Sequence, residues 1–371
     1  MTDTALRKSL TAPANALDLA QHIIEFDPRR PGGYVFAATP LSAEAVDLAK
    51  PLAPDPIPWP AGLAPKPVRH RRAPAEDAPL PRADVLVVTY TVSEGYAAAD
   101  ILTPGLDTTR WTQYRNGWPA LRALITGSRA PSLHYKRSGL WALTRIGKTR
   151  VVVFKSDLHP ATDGSRLPIV ALWQQLIKQV RPSLVITTGT AGGVGADTVL
   201  GDVVVARHVR WDCTKQFSHK PFAHSEYVSG AKVDPAEFTL VEQTLIPVNA
   251  KKLPAGNRPP RVWLDSDGTP AGALSTDFFA FDDASDHYGL RTVDPTARAV
   301  EMDDAALGLA LADAASPPEW LSVRNASDPQ MDGPDLATET AQAAAIYEKY
   351  GQITSWGSAL VCWALIANRA K

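Results

Sequence analysis

Residues 185–205 read VITTGTAGGVGADTVLGDVVV, two apolar, β-branched runs on either side of a glycine-rich stretch. Continuous apolar runs bounded by glycine suit strands covered on both faces. Gly189-Thr190-Ala191-Gly192-Gly193 is expected to be a turn that presents backbone N–H groups and one hydroxyl at a strand end, where open α/β sheets place their ligand crevice. Strand and helix patterns alternate along the rest of the chain. Residues 85–90 read as a buried strand that leads through Ser93-Glu94 into an alanine-rich helix ending at Leu102. Residues 140–146 and 150–155 read as a hairpin turning at Gly147-Lys148, and residues 168–179 carry apolar side chains at helical spacing. Further strands are expected at 261–264 and 320–323; 272–275 enters the cluster Thr276-Asp277-Phe278-Phe279, and 295–300 leads into Glu301-Met302-Asp303-Asp304 and a helix through Ala314, with other helices at 234–245 and at 338–370, the last interrupted around 351–357. This alternation predicts an α/β fold, a three-layer α/β/α sandwich with a mixed central sheet.

The first 82 residues have a different character. Residues 17–26 and 42–50 read as short amphipathic helices, and 51–82 is a proline-rich arm carrying Arg69-His70-Arg71-Arg72. The expected organisation is an N-terminal extension over 1–82 and a catalytic domain over 83–371, with an insertion at about 103–138 that holds Arg110, Arg115, Arg122, Lys136 and Arg137. A formal net charge of −1 argues against a general nucleic-acid or membrane-surface binder. Cys213 and Cys362 are the only cysteines, too few for a disulfide framework or a cysteine zinc site. No run reaches the roughly 18 apolar residues of a membrane span. Residues 10–19 are broken by Pro13 and Asn15, unlike a signal peptide, so a cytoplasmic location is expected. His219 and His224 lack metal-site spacing, and neither a metal nor a cofactor is expected.

Polar residues gather at the predicted strand-to-loop junctions: Glu94, Thr190, the pair Glu301 and Asp303, and Asp328 with Arg324 nearby. Taken singly, each has an ordinary structural use. A carboxylate at a helix start caps it, and Asp328 between Ser327 and Pro329 suits a turn. Taken in order, strand-Glu94, the GTAGG segment with Gly201-Asp202, STDFF at 275–279, VEMD at 300–303 and VRNASD at 323–328 resemble the nucleoside phosphorylase and nucleosidase superfamily. Within it, the resemblance is to the methylthioadenosine/S-adenosylhomocysteine nucleosidase branch, over about 83–370 with insertions.

The resemblance implies a role for each matched residue. Glu94 takes the place of the base that activates water, and Thr190 that of the hydroxyl holding this nucleophile. Arg324 corresponds to an arginine near water and sugar. Met302 would lie under the ribose and Asp303 would grip its hydroxyls, with Glu301 as the preceding acid. Asp328 aligns with the acid that protonates the purine, Phe279 with the aromatic ring that stacks on it, and Gly192 belongs to the substrate-binding glycine segment. The expected ligand is a small purine nucleoside or nucleotide, and the expected assembly a homo-oligomer, because relatives complete the 5′ pocket from a neighbouring subunit.

Cleaving an N-glycosidic bond builds positive charge on the sugar and negative charge on the base, so an ionised carboxylate and a protonated one are needed on opposite sides. Phosphorylases of this superfamily hold phosphate with arginines. Thr89-Tyr90-Thr91-Val92-Ser93-Glu94 and Lys155-Ser156-Asp157 lack those arginines, and Glu94 would repel an anion, which favours water. A phosphate-dependent phosphorylase and a non-catalytic nucleoside-sensing or scaffold module are the alternatives. Asp303 is one methylene shorter than the family's usual glutamate. The basic insertion reads as surface or, alternatively, as a cap over the 5′ end, and Trp211, Asp212 and His219 fall in a segment that could border the pocket.

Overall fold

The computed structural model describes residues 16–30, 52–70, 72–211, 225–266 and 269–369. The expected helix at 42–50 and Arg71, Asp212, Cys213, His219 and His224 lie outside them. In chain order the elements are α1 (Ala16–Glu25), β1 (Lys66–Pro67), β2 (Val85–Thr89), α2 (Val92–Leu102), β3 (Thr112–Tyr114), α3 (Trp118–Arg122), α4 (Pro131–Tyr135), β4 (Gly139–Ile146), β5 (Thr149–Ser156), α5 (Pro160–Asp163), α6 (Pro168–Val180) and β6 (Leu184–Gly193). Then follow β7 (Val203–Ala206), β8 (His208–Trp211), β9 (Glu226–Val228), α7 (Ile246–Ala250), β10 (Val262–Leu264), β11 (Gly272–Ser275), α8 (Leu290–Val293), β12 (Ala297–Glu301), α9 (Asp304–Leu311), β13 (Glu319–Asp328) and α10 (Leu336–Arg369).

All the strands join one mixed sheet. Its main path runs β1-β4-β5-β2-β6-β12-β11-β8-β9, and β13 branches from β6 toward β7 and β10. Pairing is parallel along β5-β2-β6-β13 and antiparallel where β12 meets β6. β2 shows why three layers form. Leu86 and Val88 enter the core beneath α6 and α9, whereas Val85 and Val87 enter the opposite core beneath α2 and α10. Alternate side chains of a strand point to opposite faces, so an all-apolar strand must be covered twice.

The structure corrects the sequence reading in four places. Gly189–Gly193 is not a turn: β6 continues through it, paired with β13 from Leu184↔Glu319 to Gly192↔Asp328. That pairing holds the segment extended, and the glycines serve close approach instead. β13 likewise runs on through Arg324, Asn325 and Ala326 to Asp328. The last helix is unbroken across Gly351 and Gly357, because that stretch is buried and packing overrides the weak helix preference of glycine. The helix expected at 234–245 is a 3₁₀ turn (Pro235–Phe238) followed by a π turn (Val241–Leu245) that leads into α7. Among the described residues, no helix is long and apolar enough to cross a membrane.

Candidate active site

The site lies where β6 changes partners. β2 pairs with β6 only as far as Thr187, and β12 joins it at Gly192, so one edge of the intervening backbone is open. Glu94 fills that gap. It is the third residue of α2 in a capping box with Thr91, whose hydroxyl accepts from the Glu94 N–H. One carboxylate oxygen accepts from the N–H groups of Tyr90 (2.8 Å) and Thr91 (2.9 Å). The other accepts from the N–H and the hydroxyl of Thr190, both at 2.8 Å. All four groups donate, which matches the acceptor-only character of a carboxylate. Gly189 makes the approach possible, since a Cβ there would overlap the Glu94 carboxyl.

A second acidic group forms at the end of β12. Glu301 caps α9, accepting from the N–H groups of Asp303 and Asp304 (the latter at 2.9 Å) and from the Ser275 hydroxyl. Asp304 accepts from Arg324 Nε (2.8 Å) and Nη2, from Thr187 (2.7 Å) and from Ser322. Arg324 Nη2 also stands 3.3 Å from Glu301 and 3.8 Å from Asp303. Burial and neighbouring anions push Glu301 up to about 8 and raise Asp303 well above the carboxylate range, with Arg324 opposing.

Asp328, at the end of β13, is 1% exposed. Ser327 donates to its Oδ1 at 2.9 Å, while Oδ2 has no hydrogen-bond partner among the described residues. Burial pushes this carboxyl up to about 7, against the smaller opposing effect of Ser327. Gly192 exposes bare backbone beside it, where a Cβ would come within 3.1 Å of Oδ2.

These groups surround one cavity. Glu94, Thr190, Gly192, Phe279, Glu301, Met302, Asp303 and Asp328 all line it. Arg324 does not. The sequence reading set this arginine near water and sugar, but its guanidinium is fully buried behind the wall, held by Asp304. Among the described lining residues there is no lysine or arginine. Arg110, Arg115, Arg122, Lys136 and Arg137 of the insertion are also off the wall. Arg137 and Lys155 both bind Asp157 instead. Trp211 is buried in β8, away from the wall. No cluster of candidate metal ligands occurs among the described residues.

Ile23, Tyr347 and His159 are lining residues that escaped the sequence reading. Ile23 comes from α1, which rests on α10 through Leu19, Ile23, Phe26, Ala344 and Tyr347. Tyr347 also lines the cavity and donates its hydroxyl to the Ile23 carbonyl at 2.9 Å. His159 follows the end of β5, and that position at the carboxyl end of a parallel strand was the available signal.

A family model described as the phosphorylase superfamily matches residues 122–346. The chain belongs to this superfamily. The matched stretch contains the site residues from His159 to Asp328, while Glu94 and α1 precede it. Similar solved structures include 5′-methylthioadenosine/S-adenosylhomocysteine nucleosidase from Neisseria meningitidis in complex with methylthio-immucillin-A (TM-score 0.45, 16% identity, 76% of this chain and 98% of that one). Others are S-adenosylhomocysteine nucleosidase from Streptococcus pyogenes in complex with 5-methylthiotubericidin (0.47, 17%, 78% and 98%) and futalosine hydrolase from Helicobacter pylori (0.46, 13%, 76% and 96%). No curated protein sequence matches the chain.

Proposed function

We propose that this protein hydrolyses the N-glycosidic bond of a purine, adenosine-like nucleoside or nucleotide. One observation carries the reading: the cavity has Glu94 and Asp328 on its wall and, among its described lining residues, no cation. Phosphate needs cationic or multiple N–H donors, and the free N–H groups near Glu94 are already given to its carboxylate. Water needs neither.

The chemistry follows from the two carboxyls. The Thr190 hydroxyl donates to Glu94 and keeps lone pairs for a water. As the water oxygen bonds to the anomeric carbon, the water's proton passes to Thr190 while Thr190's own proton passes to Glu94. The glycosidic electron pair leaves with the base, and Asp328 supplies the proton that neutralises it, a step typically worth about 10²–10⁴-fold. Phe279 stacks on the base, Met302 lies under the sugar and Asp303 takes its hydroxyls. Arg324 is a positioning residue, holding Asp304 and Glu301 behind them.

The test is base release from a panel of purine nucleosides and nucleotides, followed by chromatography, in phosphate-free buffer and with phosphate added. Release without phosphate is the expected result. Release only with phosphate makes the protein a phosphorylase and overturns the reading.

A further inference from the structure

We propose that His159 and Asp303 jointly read one sugar hydroxyl of the substrate, His159 as donor and Asp303 as acceptor. The identity of the ligand rests on the nucleoside reading above. The geometry rests on the side chains alone.

His159 is 1% exposed and fixed from several sides. Its Nδ1 accepts from the Ala161 N–H at 3.2 Å, its backbone N–H donates to Asp163 at 2.7 Å, and its ring meets Tyr90 edge-on at 6.2 Å. With Nδ1 accepting, the neutral ring carries its hydrogen on Nε2. That atom stands 3.1 Å from Asp303 Oδ1, but out of line, so neither has a hydrogen-bond partner among the described residues. Both side chains line the cavity.

Asp303 stands apart from its neighbours in this respect. Both oxygens of Glu301 and both of Asp304 are taken up by hydroxyl, backbone or guanidinium donors. A buried donor and a buried acceptor left open side by side are costly unless a ligand meets both. A hydroxyl does so with one atom, donating to Oδ1 and accepting from Nε2–H. A methyl group could satisfy neither.

The experiment measures equilibrium binding of an uncleavable C-nucleoside analogue of adenosine and of its 2′-deoxy and 3′-deoxy forms. The proteins are the full chain, His159→Leu and His159→Gln, with base release from adenosine assayed in parallel. The wild type is expected to favour the ribo form over one deoxy form by about 10²-fold or more, because losing that hydroxyl leaves two buried groups unpaired. His159→Leu should weaken ribo binding about tenfold, the size of one hydrogen bond, and leave that deoxy form unchanged. His159→Gln, which keeps an N–H donor, should recover part of the loss. Equal weakening of all three ligands by both variants, or unchanged discrimination, overturns the proposal. Selective binding without base release refutes the hydrolase reading and leaves the role of His159 standing. No binding by the wild type overturns both.

Discussion

Thr190 gives its backbone N–H and its hydroxyl to the same oxygen of Glu94, each at 2.8 Å. The first contact holds the carboxylate, and the second can relay a proton. Thr190→Val keeps the shape and the N–H but removes the relay. Base-release kinetics should show kcat reduced by about 10²-fold with little change in melting temperature, and Thr190→Ser should restore most of it.

Asp328 must carry its proton to act as the acid. With the group pushed up to about 7, activity should fall as pH rises above neutrality, and Asp328→Asn should lose about 10²–10⁴-fold at acidic pH, with the gap to wild type narrowing above neutrality. Stability carries the same signature. Between the ordinary carboxylate range and about 7 the folded state binds more protons than the unfolded state, so the contribution of Asp328 to stability declines as pH rises through that window. Calorimetry should therefore show Asp328→Asn melting higher, relative to wild type, at pH 8 than at pH 5. A difference of the opposite sign would contradict the assignment.

Arg324 is the guanidinium that serves Glu301, Asp303 and Asp304. Removing one partner of a buried ion pair strands the other. Arg324→Met should cost about 3–5 kcal/mol in denaturant unfolding, and Arg324→Lys, which cannot match the two-pronged contact with Asp304, should recover only part of it.

Gly189→Ala tests the close approach. Its Cβ would overlap the Glu94 carboxyl, so the capping box must shift. A loss of about 1–3 kcal/mol is expected, with a fall in kcat larger than that change in stability alone would cause. Wild-type activity in a stably folded Gly189→Ala protein would show that Glu94 need not sit where it does.

The N-terminal residues offer a dynamic test. Arg29 binds Asp100 at 2.9 Å and Asp107, and lies 4.0 Å from the ring centroid of Tyr96. Arg29→Ala should speed amide exchange in α1 and raise KM several-fold, leaving exchange in β6 unchanged.

Much of this arrangement was legible in the sequence, and the gaps have physical causes. Continuous apolar runs marked β2 and the start of β6, and the hairpin of β4 and β5 announced itself through Gly147-Lys148. The same glycine content made 189–193 look like a turn, because sequence shows where glycine permits a bend but not where a carboxyl must come close. Glu94 was visible both as a helix cap and as a candidate base, and its hydrogen bonds show the cap directly. The distinction between Arg324, within β13 and behind the wall, and Asp303, just past the end of β12 and on it, was not written in local pattern. His159 and Ile23 were hidden for a related reason. One lies beyond a strand whose neighbour in space is distant in sequence, and the other belongs to a helix whose partner, α10, is more than three hundred residues away.

Ile23 gives the cavity a division of labour along the chain. The groups proposed to break the bond all come after residue 83, whereas part of the roof comes from Ala16–Glu25. Changes confined to that short leading helix can therefore alter what fits beneath it while the carboxyl framework stays intact.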